Sequence, residues 1–109
     1  MLEGLLGSKS KEQVLIFLSA RNEGYAREIS NFFDTSLSPI QGQLDKLENF
    51  GILYSKYLGR TKLFYLNPRY PFYKELKKLL DKSISFLPDD EKEKLLIVRK
   101  RPRRTGKPL

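Results

Sequence analysis

The sequence predicts a mainly α domain closed by a two-stranded β-hairpin, an α+β fold. Three observations predict it. Apolar residues recur at helical spacing in successive segments before residue 50. After Gly51 the pattern turns strand-like, with β-branched, aromatic and leucine residues in 52–58 and 61–67. Between those runs sits Gly59-Arg60, with glycine in the first central position that a type II′ two-residue hairpin turn needs.

Each element has its own signal. Leu2, Leu5 and Leu6 suit a short apolar turn closed by Gly7. Ser8 or Ser10 can cap a helix over 11–20, where Val14, Phe17 and Leu18 share a face with Leu15 alongside. Arg21-Asn22-Glu23-Gly24 reads as a turn. A second helix runs over about 25–33, with Ala26, Ile29 and Phe33 on its buried side. The third helix is expected over 38–49 with Ile40, Leu44 and Leu47 as its apolar stripe and Gly51 as its stop. Ser38, Pro39 and Gln41 would open it as cap, first-turn proline and capping box; Ser36 is also a legitimate cap, with Pro39 then still in the first turn. Asn67-Pro68-Arg69-Tyr70-Pro71 reads as a rigid connector. A further helix follows over 72–86, ended by Pro88. Asp89-Asp90-Glu91 begins a last helical stretch to about 98. The organisation expected is one domain over 1–87, then a short helix and a basic, disordered tail over 88–109.

Composition excludes whole classes of chemistry. The 109 residues include no Cys and no His. Thiolate nucleophiles, imidazole bases and the usual zinc ligand sets are therefore ruled out. No nucleophile–base pair or phosphate-cradling glycine loop stands out, so an enzyme is not expected, nor a metal or cofactor. The apolar runs fall short of a membrane span of ~20 residues. The N-terminus lacks signal-peptide character, and a cytoplasmic protein is expected.

The net charge of +8 is concentrated. Residues 49–74 carry Lys56, Arg60, Lys62, Arg69 and Lys74 and no acid. Residues 99–109 carry Arg99, Lys100, Arg101, Arg103, Arg104 and Lys107, again with no acid. The rest is slightly acidic. Segregated positive charge suits a polyanionic partner.

The order of helix, helix–turn–helix and hairpin is that of a winged helix-turn-helix. Tyr25-Ala26-Arg27-Glu28-Ile29, the segment Ser36 to Glu48, Gly51-Ile52-Leu53, Gly59-Arg60-Thr61 and Tyr65-Leu66-Asn67-Pro68 together resemble ArsR/MarR-type winged-helix transcriptional regulators of bacteria and archaea. The resemblance spans about residues 8–86. It implies a DNA-binding regulator whose third helix enters the major groove of double-stranded DNA. Its hairpin wing, residues 52–67, would reach the backbone or minor groove. On that reading Ser36, Ser38, Pro39, Gln41, Gly42 and Lys46 face DNA from the helix, and Lys56, Arg60 and Lys62 from the wing. Gln41 can bond adenine in a paired fashion, and Arg60 suits a narrow minor groove. Gly42 contributes no base contact; either it allows close backbone approach to DNA or base readout by this helix is modest. Asp45 faces outward and would repel phosphate. Arg99, Lys100, Arg101, Arg103 and Arg104 are candidate phosphate contacts of the tail.

Tyr54, Tyr57, Phe64 and Tyr65 could form a base-stacking platform, but core packing and cross-strand pairing fit aromatic strand residues better. Apolar stripes at both ends suggest a homodimer built from Leu2, Leu5, Leu6, Phe72, Tyr73, Leu76, Leu79, Leu80 and Ile84; the alternative is that both stripes fold back on their own chain. ArsR relatives often sense metals through Cys and His, a switch this chain lacks. Two other functions compete. One is a protein-interaction module, an antitoxin or adaptor holding a partner enzyme such as a nucleotidyltransferase. The other is RNA binding through the basic tail.

Overall fold

The computed structural model describes residues 1–97. The tail residues Arg99, Lys100, Arg101, Arg103 and Arg104 lie outside them. The elements are α1 (Glu3–Leu6), α2 (Lys9–Arg21), β1 (Gly24–Tyr25), α3 (Ala26–Phe32), α4 (Leu37–Asn49), β2 (Leu53–Leu58), β3 (Thr61–Leu66), α5 (Tyr73–Ser85) and α6 (Asp89–Ile97).

Helix α2 is the axis of the core. Ser8 caps it, its Oγ accepting from the Lys11 N–H at 3.1 Å. Val14 to Ser19 are all buried, because neighbours pack on most of the circumference of α2. Its central core side chains meet Ile29 of α3, Ile40, Leu44 and Leu47 of α4, Leu53 and Phe64 of the sheet, and Leu80 of α5. Each such side chain contributes about 1.5–3 kcal/mol when fully buried.

The sheet is larger than the expected hairpin. Residues 24 and 25, read from sequence as the end of a turn and the start of a helix, form β1. It pairs antiparallel with β3, Gly24 opposite Phe64 and Tyr25 opposite Leu63, so the strand order is β1-β3-β2. A two-residue strand has no periodicity to detect. Glycine is needed at 24 because a Cβ there would lie 2.7 Å from Cε1 of the buried Phe17 ring.

Helix α4 starts one residue earlier than 38, with Ser36 as its N-cap. Ser38 is thus inside the first turn, and the expected capping box with Gln41 is not formed. Pro39 is tolerated there because first-turn N–H groups have no intrahelical partner. Its missing N–H also removes a donor that a Ser36 hydroxyl would use, and Ser36 makes no side-chain cap bond. The helix ends as expected at Gly51. The Gly51 N–H donates to the Glu48 carbonyl at 2.9 Å and the Ile52 N–H to the Leu47 carbonyl at 3.0 Å, a Schellman closure.

Strands β2 and β3 pair from Leu53 with Leu66 to Leu58 with Thr61, leaving Gly59-Arg60 as the loop. Gly59 has φ +67° and Arg60 stays out of the left-handed region, the type II′ pattern that glycine permits. The connector is stiffened by Asn67, whose Nδ2 donates to the Gly51 carbonyl at 2.9 Å while its Oδ1 accepts from the Arg69 N–H at 3.0 Å.

Polar clamps tie α5 and α6 to α2. Ser19 Oγ donates to Asp81 Oδ1 at 2.7 Å, and Lys77 Nζ donates to the same oxygen at 2.9 Å. Arg21, buried at the end of α2, donates from Nε to the Leu95 carbonyl at 2.9 Å and from Nη2 to the Lys94 carbonyl at 3.2 Å. Its guanidinium lies over the Phe17 and Phe32 rings, at 4.4 and 4.8 Å from their centroids. Composition groups α6 with the tail, but packing groups it with the body. Leu95 is buried in the core, so a boundary after residue 87 does not separate this helix.

The stripe expected at a dimer interface divides. Leu2 and Leu80 are buried within the chain itself, at 8% and 0% exposure, and have no surface to offer a partner. Leu6, Tyr73, Leu76 and Ile84 are half-buried against the same core. Leu5, Phe72 and Leu79 remain exposed.

Candidate nucleic-acid interface

Helix α4 turns Ile40, Leu44 and Leu47 inward, so a rotation of ~100° per residue sends Ser38, Gly42 and Asn49 directly outward. Gln41 and Glu48 share the flank toward the hairpin, and Lys46 lies on the other flank. Ser36, Ser38, Pro39, Gly42 and Lys46 are exposed, and Gln41 is half-buried. A Cβ at Gly42 would meet nothing within 4 Å. No packing constraint therefore explains the glycine.

The hairpin lies beside this flank. Alternation puts Leu53, Ser55, Tyr57, Lys62, Phe64 and Leu66 on one face and Tyr54, Lys56, Leu58, Thr61, Leu63 and Tyr65 on the other. Lys56 and Lys62, expected to flank Arg60 together, thus stand on opposite faces. Lys56 Nζ lies 5.3 Å from the Tyr65 ring centroid. Lys62 is engaged by α4: its Nζ donates to Glu48 Oε1 at 3.2 Å, while Ser55 Oγ donates to Glu48 Oε2 at 2.6 Å. The Glu48 hydrogen bond raises the Lys62 ammonium above the ordinary lysine value, against the opposing effect of burial. Lys62 is therefore a brace between helix and hairpin rather than an open cation. Gln41 is similarly occupied, its Nε2 donating to Asp45 Oδ1 at 3.2 Å.

Arg60 is exposed at the tip and has no ion-pair partner among the described residues. Between the tip and the starts of α3 and α4 opens a cleft of about 360 Å³. Arg27, Gln41, Arg60, Thr61 and Lys62 supply its polar lining, with Tyr25 and Tyr57 beside them and no acid among the lining residues. Neither the place of Arg27 in this cleft nor the bracing role of Glu48 is expected from the sequence. The helical spacing of Glu48 from Gln41 puts both on one flank and could have revealed the second.

The aromatic residues separate by position. Phe64 is in the core. Tyr54 and Tyr65 pair across the strands with centroids 4.8 Å apart and planes 13° off parallel. Each ring covers a face of the other, which an open stacking platform would need to expose. Burial first, then the Glu23 carboxylate nearby, raise the Tyr65 hydroxyl above its ordinary value. Tyr57 is not in the core: it stands 68% exposed at the cleft and pairs across the strands with Lys62, whose Nζ lies 5.8 Å from its ring centroid.

No protein-family model and no curated protein sequence matches the chain. A solved structure does: the apo form of a mutant of Lactococcus lactis ZitR, with TM-score 0.54 and 18% identity, covering 96% of this chain and 86% of that one. The fold is a winged helix-turn-helix. In its terms α3 and α4 are the helix-turn-helix pair, and the β2–β3 hairpin is the wing. No helix among the described residues is long and apolar enough to cross a membrane.

Proposed function

We propose that the protein is a homodimeric transcriptional regulator that binds double-stranded DNA through α4 and the wing. The observation that carries this reading is the acid-free cleft, which Arg27 and Arg60 line together with Leu37 and Gln41 of α4. On this reading α4 enters the major groove by its exposed first turn. Gly42 lets the helix backbone approach closely, and Arg60 reaches the adjacent backbone or minor groove. Ser36, Ser38 and Lys46 contact phosphates. With Gln41 engaged by Asp45, phosphate contacts supply most of the affinity and base reading by α4 is modest. The cations of residues 99–104 add sequence-independent affinity. The exposed Leu5, Phe72 and Leu79 support association of two copies, which would present two α4 helices to half-sites ~34 Å apart, or a multiple of that.

The test is binding to random-sequence duplex DNA across a salt series. Affinity should fall steeply with salt, and Arg60→Ala should weaken it and flatten the slope. Truncation after residue 98 should lower affinity about equally on all sequences. Absence of duplex binding at low salt would overturn the proposal.

A further inference from the structure

The tip of the wing carries an apolar side chain that the fold leaves uncovered. Strand β2 is an edge of the sheet. Its last residue, Leu58, pairs with Thr61 beside the Gly59-Arg60 turn and is 54% exposed. A single exposed leucine is ordinary on a protein surface. The setting of this one is not. Edge strands are usually finished with charge, because an apolar edge invites association. Here Lys56 precedes the leucine on the same face, ~7 Å back along the strand, and Arg60 follows it in the turn. All three side chains are exposed. Residues 49–74 contain no acid to oppose the two cations. The carboxylates that reach the hairpin act elsewhere. Glu48 bonds Ser55 and Lys62 on the opposite face. Glu23 stands by Tyr65, four rungs of the ladder from the Leu58 rung.

We propose that Leu58 is a wedge for double-stranded DNA. With Arg60 in the minor groove and Lys56 on a flanking phosphate, the leucine enters between two base pairs and bends the duplex. This rests on the DNA-binding reading and specifies how the wing deforms the DNA. The minor groove is only ~6 Å wide, so a hairpin tip can bring a side chain to its floor where a helix cannot. Between base faces an apolar side chain leaves water, and leucine is among the residues that proteins insert there. Tyr57, the other exposed apolar residue of the tip, stands on the cleft face with Lys62 Nζ 5.8 Å from its ring centroid. It is therefore not the wedge. Unstacking costs least at flexible pyrimidine–purine steps such as TA. The wedge thus selects deformable DNA at a position where no side chain reads a base edge. Such selection does not depend on α4, whose Gln41 is engaged by Asp45.

Energy transfer between dyes at the two ends of a short duplex measures the bend. One duplex alternates T and A and offers a TA step at every second position; the other is an A-tract and offers none. On the alternating duplex the wild-type protein should raise transfer as a bend of ~20–90° does. Leu58→Met, which keeps an apolar side chain of similar reach, should bend it too. Leu58→Ser should bind yet leave the duplex straight. Its salt slope should match the wild type, because no cation is lost. Its preference for the alternating duplex over the A-tract should fall about threefold or more relative to wild type. Leu58 lies outside the buried core, so the serine leaves the packing intact. A duplex left straight by the wild-type protein, or bent equally by Leu58→Ser, overturns the wedge and leaves DNA binding standing. Absence of binding to both duplexes at low salt overturns both.

Discussion

Glu48 of α4 and Lys62 of β3 form an ion pair at 3.2 Å, and Ser55 of β2 bonds the second carboxylate oxygen at 2.6 Å. One carboxylate thus joins α4 to both strands of the wing. The pair is partly exposed, so its net contribution to stability is small, ~0–1 kcal/mol. Its consequence is orientation: the wing is fixed relative to α4, which sets where Arg60 stands. The two wing cations should therefore behave differently. Arg60→Ala should reduce the slope of log affinity against log salt by about 1, as loss of a phosphate contact does. Lys62→Met should leave that slope unchanged and lower affinity only through a looser wing. A salt series on the two variants decides it; a slope reduced by Lys62→Met would assign that lysine to phosphate.

Gly42 should separate stability from binding. It sits inside a helix with open space where a Cβ would be. Alanine there should stabilise the fold by about 1 kcal/mol, because glycine carries the larger backbone entropy cost. If the α4 backbone approaches DNA at this point, the same methyl group should reduce affinity. Denaturant unfolding and duplex titration of Gly42→Ala should thus move in opposite directions. Unchanged affinity would remove Gly42 from the interface.

Features encoded locally were legible in the sequence. The Ile40, Leu44 and Leu47 stripe, the Gly51 stop and the Gly59 turn each depend on residues a few positions apart, and the structure shows all of them. What escaped depends on distant partners. Arg21 reads as a turn residue until the carbonyl groups of Lys94 and Leu95 are brought to it. Lys62 reads as a wing cation until Glu48 is seen beside it. Strand β1 is only two residues long and exists because β3 offers an edge. In the apolar stripes the sequence shows which residues avoid water but not what covers them. Leu80 and Leu79 are adjacent, yet Leu80 is fully buried and Leu79 lies at the surface.

Arg21→Met tests whether α6 is part of the body. Methionine keeps some of the contact with Phe17 and Phe32 but leaves the Leu95 and Lys94 carbonyls without their donor. A charged donor lost from a buried site costs about 2–3 kcal/mol. For a domain of this size that lowers Tm by roughly 10–20 °C. Hydrogen exchange should show α6 opening first, since the bonds lost hold its last turn. A variant with native Tm would show that Arg21 does not anchor the helix.

Asp81 gives the fold an acid-sensitive joint between α2 and α5. Burial by itself would raise its carboxyl, but the hydrogen bonds from Lys77 and Ser19 outweigh it and hold the group below the ordinary aspartate value. The sign follows from linkage. A depressed carboxyl favours the folded state above the unfolded aspartate value, and that contribution disappears as pH falls through the folded value. Unfolding free energy should therefore decline on acidification below about pH 4, the ordinary aspartate range. Asp81→Asn, which cannot ionise, should flatten that decline. At neutral pH it should cost about 1 kcal/mol, the scale of the Ser19 hydrogen bond with a screened, half-exposed lysine pair. Denaturant unfolding of both proteins between pH 2 and 7 measures the difference, and parallel curves would show that Asp81 is not the titrating joint.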